Sequence, residues 1–226
     1  MVYNYILSIS SVLLGALLVL LFKPNDQKKL SLLLSFSGAF LLAVTVFDLL
    51  PEIFEENHHS KKTGVWIMVG ILLQKVLEYF SQGAEHGHVH INKKTKNLPV
   101  LLITSLTIHA LLEGFPMHHN DRMLIGIIIH KIPIAMILTT FLLQTAIKKV
   151  TIFSFLLCFS LITPLGAFIS ESFTAVQYFY KETTALVIGI FLHVSTTILF
   201  ESNEGHKFNI TKLVIILLAT IIAYLI

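Results

Sequence analysis

Apolar residues along this chain gather into eight long runs, each closed by a short polar turn. The runs predict helices near 4–22, 30–54, 64–82, 98–114, 122–147, 151–171, 183–203 and 208–226, numbered here as spans 1 to 8. Each is close to the roughly 20 residues needed to cross the hydrocarbon core of a bilayer. No stretch between them is polar enough to form a separate soluble domain, so residues 1–226 are expected to form a single transmembrane domain. The first run, MVYNYILSISS, lacks the basic start and small-residue cleavage site of a secretory signal and is expected to be retained as a span.

Composition agrees with that pattern. Hydrophobic residues make up 55% of the chain and charged residues 13%, about half the charge content of an ordinary soluble domain. The predicted class is therefore an all-α integral membrane protein, with no basic patch that would call for nucleic acid. Cys158 is the single cysteine and stands in an apolar run, so no disulfide can form within the chain.

Charge position says more than the net value of +3. An even number of spans puts both termini on one side. Loops on that side carry Lys61, Lys62, Arg122 and Lys181, whereas the opposite loops carry Lys23, Lys28, Lys29, Lys93, Lys94, Lys96, Lys148, Lys149 and Lys207. The positive-inside rule then places the termini outside and the 84–97 loop, with its histidines, in the cytoplasm of a multi-pass cell-membrane protein. Spans 2 and 7 also share a pattern, since GAFLLAVTVFDLL from Gly38 and GIFLHVSTTILFE from Gly189 both open with G-x-F-L and close on acids. As repeat partners they make spans 1–3 and 6–8 equivalent units of opposite orientation, an arrangement used by transporters. Chance recurrence in a Gly- and Phe-rich chain is the competing explanation.

Polar residues inside the runs carry the candidate chemistry. Asp48, Glu52, His109, Glu113, His130 and Lys131 all fall within spans or at their ends, where a central charge costs roughly 2.5–3.5 kcal/mol. Such groups must pair, face water or hold an ion. Asp48 with Glu52, and His109 with Glu113, are four residues apart and so share a helix face as two-ligand clips. Imidazole and carboxylate together suit Zn²⁺ and, less tightly, Fe²⁺ or Mn²⁺. Pro51, Pro116, Pro133 and Pro164 bend the same region, and Pro133, three residues after His130, is the one most closely tied to function.

H-x-x-x-E-G in span 4, H-x-I-P in span 5, L-L-P-E in span 2 and T-P-L-G in span 6 together resemble the ZIP (Zrt/Irt-like protein) divalent metal transporters, over essentially the whole chain. The resemblance implies a 3+2+3 helix bundle, usually a homodimer, that moves Zn²⁺ or a related cation into the cytoplasm as substrate through a site between spans 4 and 5. It carries the ligand role to His109, Glu113 and His130. Ala110, Lys131, Ile134 and Thr163 depart from the family pattern, which leaves its second metal position without ligands and suggests that the Lys131 ammonium stands in for that charge. Asp48 is the candidate fourth ligand, with Glu52 as runner-up.

Further groups are assigned around that core. His193 is expected to be a hydrogen-bonded packing residue rather than a cavity ligand, and Glu78 to pair with Lys75. Glu171 reads as interfacial. His58, His59, His118 and His119 either collect ions at the outer mouth or are ordinary loop residues. His86, His88 and His90 form a weak metal-binding tract, and Glu201, Glu204 and His206 a possible exit. Two other classes compete: a non-transporting metal sensor served by that histidine loop, and a membrane metallohydrolase. The second is disfavoured because the chain lacks H-E-x-x-H and a general base beside a three-ligand site. The expected protein is a transporter and not an enzyme, with a dication as substrate and no resident cofactor.

Overall fold

In the computed structural model, which describes residues 2–22, 27–55, 60–84, 94–117, 121–200 and 210–226, every one of the eight apolar runs carries helix and no strand occurs among the described residues. In chain order the elements are α1 (Val2–Phe22), α2 (Gln27–Val44), a π turn (Thr45–Leu49), α3 (Leu50–Glu55), α4 (Ser60–Ser81), α5 (Val100–Glu113), α6 (Asp121–Leu143), α7 (Lys149–Ser160), α8 (Ile162–Ser172), α9 (Thr174–Tyr178), α10 (Tyr180–Phe200) and α11 (Ile210–Leu225). Six helical stretches are long and apolar enough to cross a membrane: α1, Lys28–Glu55, Lys61–Ser81, Arg122–Leu143, Lys149–Ser172 and α10. The other two runs give the shorter apolar helices α5 and α11, of 14 and 16 residues.

Local chemistry explains the boundaries. Pro51 has no amide hydrogen and its ring crowds the carbonyl four residues earlier, at Phe47. Span 2 absorbs the misfit by widening to a π turn over Thr45–Leu49, and the Thr45 hydroxyl donates to the Leu41 carbonyl at 2.7 Å. Pro164 lies in the first turn of α8, just past a break in which the Leu161 amide bonds to the Cys158 carbonyl. The run predicted to continue to 147 stops at Leu143, because Thr145 donates to the Leu142 carbonyl and accepts from the Ile147 amide. Many other Ser and Thr hydroxyls return to carbonyls one turn back, as Thr140 does to Met136 and Thr196 to Leu192, and so are satisfied within their own helix.

Packing places large apolar side chains on both sides of the helices. Phe40, Phe191, Leu106, Met123, Ile127 and Leu138 are fully buried. Equally large residues stand outward in helical rows, among them Leu13, Leu17 and Leu20 on α1, and Val65, Met68 and Leu72 on α4. A soluble domain rarely shows so much contiguous apolar surface; lipid is its natural solvent.

Helices meet where glycine allows. A β-carbon at Gly70 would strike the Leu186 carbonyl, and one at Gly189 the Ile67 carbonyl, so α4 and α10 touch backbone to backbone. Gly114 and Gly166 do the same for the α5 end and α8, facing the Thr163 and Leu111 carbonyls. The most extensive pairings join α4 to α10, α1 to α6 and α11 to α2. In this scaffold α5 lies against α4 and α8.

Candidate metal site

α5 begins after extended Pro99 and ends in the turn at Gly114, and its inner face carries His109 and Glu113 one turn apart. They are 5% and 1% exposed. His109 Nε2 lies 3.4 Å from Glu113 Oε2, longer than a good N–H···O bond. The other ring nitrogen, Nδ1, lies 3.0 Å from Oε1 of fully buried Gln74 on α4. A carbonyl oxygen only accepts, so the imidazole donates from Nδ1. In the neutral ring Nε2 then turns a lone pair to the carboxylate, an arrangement that suits a cation between them, and in the protonated ring it turns an N–H there instead.

The second carboxylate oxygen is already occupied. Glu113 Oε1 lies 2.5 Å from Lys131 Nζ and 2.9 Å from Thr163 Oγ1. Thr163 Oγ1 is also 2.7 Å from the Ala110 carbonyl oxygen, so its one hydrogen serves either acceptor and in both cases ties α8 to α5. Lys131 is 5% exposed, with its ammonium 5.5 Å from the centre of the Phe159 ring, a favourable place for a buried cation. His130, 2% exposed, sets its ring 6.4 Å from that of His109, centre to centre. Residues from α4, α5, α6, α7 and α8 thus form one buried polar cluster.

Other assigned residues lie in separate pairings. Asp48 sits in the π turn, where its Oδ1 accepts from Arg122 Nη1 at 2.7 Å, so the candidate fourth ligand is held by the first turn of α6. Glu52 is half-buried and borders a shallow pocket with Ile53, Tyr180, Lys181 and Thr184. His193 Nε2 lies 2.7 Å from Glu78 Oε2, to which Lys75 Nζ donates at 3.1 Å. The Tyr5 hydroxyl donates to Glu171 at 2.9 Å. His58, His59, His86, His88, His90, His118, His119, Glu201, Glu204 and His206 lie outside the described residues. Among the described residues, no three His, Cys, Asp or Glu side chains gather into a metal-holding group. The site is a two-donor clip with His130 alongside and an internal ammonium on its outer carboxylate oxygen.

Gln74, Phe159 and Thr163 are parts of the cluster that motif reading left without a role. Gln74 carried a signal, as a neutral polar residue in the apolar run GILLQKVL. Phe159 carried none, being one of 17 phenylalanines.

No family model matches the chain. A 66-residue stretch is 36% identical to the zinc transporter ZIP13 homolog of Drosophila melanogaster, a match covering 26% of this chain and 19% of that protein's length.

Proposed function

We propose that this protein carries divalent metal cations across a membrane, with His109 Nε2 and Glu113 Oε2 as the first two ligands and His130 closing on the ion as it binds. The observation that carries this reading is the buried 3.4 Å approach of an imidazole nitrogen to a carboxylate oxygen, one turn apart on α5. Such an arrangement is costly in lipid and useful with a dication between its members. The likeness of one segment to a zinc transporter supports the same reading. Zn²⁺ is the foremost substrate, and Fe²⁺, Mn²⁺ and Cd²⁺ suit the same donors. Asp48 is the fourth donor, available once its bond to Arg122 opens.

Part of the helix pairing fits an inverted repeat within a 3+2+3 bundle. Exchanging spans 1–3 with 6–8 and span 4 with 5 turns the α4–α10 contact into the α11–α2 contact, and the α1–α6 contact into the smaller one of α8 with α5, whereas the α2–α6 and α4–α5 contacts have no comparable counterparts in α10–α5 and α11–α6. Alternating access then follows from rocking the two units about the cluster. The lysine-rich loops favour termini outside, and inward movement by a homodimer is carried over from the family resemblance.

Uptake into proteoliposomes across a panel of divalent metals tests the function. Wild type should take up Zn²⁺, and His109→Ala should lower that uptake about a hundredfold or more, since it breaks the two-donor clip and losing even an outer partner of a ligand costs about 10- to 100-fold. No uptake of any dication by well-folded wild type, or full activity of His109→Ala, defeats it.

A further inference from the structure

Lys131 occupies the carboxylate that the transported ion needs. Its Nζ is 2.5 Å from Glu113 Oε1, the pair is 5% and 2% exposed at the side chain, and Thr163 Oγ1 lies 2.9 Å from the same oxygen on another helix. With both histidines neutral the site without an ion sums to zero charge, −1 from Glu113 and +1 from Lys131. Without the lysine it would be a bare buried carboxylate. An ion held by His109 Nε2 and Glu113 Oε2 would share one carboxylate with the ammonium on Oε1, and two cations that close in a low-dielectric pocket repel strongly. That repulsion favours withdrawal of the ammonium as the ion arrives, and Phe159 offers its ring face within 5.5 Å.

We infer that Lys131 is a tethered counter-cation that alternates with the transported dication on Glu113, lowering the site's affinity and neutralising the carrier while it returns without an ion. This rests on the transport reading above. Lys131 would touch the same carboxylate as the substrate and set how readily it is released. No proton needs to leave the lysine, and no additional ligand is required.

The consequence is a split between two modes of transport. Net influx into metal-free vesicles requires the carrier to reorient without an ion, whereas exchange into zinc-loaded vesicles does not. A lone buried carboxylate resists reorientation, so Lys131→Met should lose net influx by about tenfold or more while exchange stays within about threefold of wild type. Equilibrium Zn²⁺ binding to the purified variant, followed by isothermal titration, should tighten by about tenfold for the same electrostatic reason. Lys131→Arg keeps the charge and should keep the wild-type ratio of net influx to exchange.

An unchanged ratio and unchanged affinity in Lys131→Met overturn the inference and leave the transport reading standing. Wild type that moves zinc in neither mode removes the transport reading itself, and the inference with it. Should Lys131→Met fail to fold, Lys131→Arg decides alone: a collapse of its ratio, in a monodisperse protein, overturns the inference, and the wild-type ratio upholds it.

Discussion

Gln74 on α4 meets His109 on α5 at 3.0 Å, Oε1 to Nδ1, so one helix sets the position of a hydrogen on the next. In the neutral ring this contact makes the nitrogen that faces Glu113 the one without a hydrogen. Gln74→Leu releases the ring and should weaken Zn²⁺ binding by about 10- to 100-fold, the usual effect of losing an outer hydrogen-bond partner of a metal-ligating histidine. Gln74→Glu, which still accepts from Nδ1, should lose less. Zinc titration of both variants checks the order, and equal losses would count against the tautomer argument.

On the transport reading, Arg122 would compete with the ion for Asp48, whose carboxylate it already holds at 2.7 Å. Asp48 is 11% exposed at the side chain and Arg122 48%, so the pair is half in solvent and its effect on stability should stay below about 1 kcal/mol. Its effect on binding should be clearer. Asp48→Asn is expected to weaken zinc binding about tenfold, and Arg122→Gln to tighten it, as a freed carboxylate gains a dication. Both changes appear in one titration series, and two neutral results would remove Asp48 from the ligand set.

Acid should oppose uptake. If His109 Nε2 is a ligand as proposed, a proton and a metal would compete for it on whichever side the dication binds. The apparent KM for Zn²⁺ should rise as external pH falls from 7 toward about 5.5, with the maximal rate less affected. Initial-rate measurements at fixed internal pH test the sign, and an apparent KM that falls in acid would contradict it.

Gly166 is a stability position. A β-carbon there would strike the Leu111 carbonyl, which is backbone and cannot rotate away. Gly166→Ala should therefore force α5 from α8 and lower stability by about 1–3 kcal/mol. Gly64→Ala is the control, because nothing lies within 4 Å of a β-carbon at that position. Thermal unfolding in detergent should separate the two variants clearly.

Legibility of the fold follows from how local each signal is. The eight runs stood out because each is a near-unbroken apolar stretch between polar turns, and helix bounds then agree within a few residues. Two details depended on less visible chemistry: the hydroxyl of Thr145, which ends α6, and the π turn that lets Pro51 continue span 2. In the cluster, His109 and Glu113 were legible because a spacing of four fixes their shared face. The partners of that pair come from other helices. Lys131 against Glu113, Arg122 against Asp48 and Gln74 against His109 are separated by 18, 74 and 35 positions, and no periodicity within a run encodes the register between helices.

Glu113 is also the last residue of α5. The last carbonyls of that helix accept from the Gly114 and Phe115 amides in the turn that follows, and the aligned peptide dipoles still leave up to roughly half a negative charge there, felt within the last turn. Lys131 thus lies beside a negative pole as well as a carboxylate. That pole belongs to the backbone and survives any side-chain replacement at 113, so a Glu113→Gln protein would keep a remnant attraction for cations and should be slowed rather than rendered blind to them.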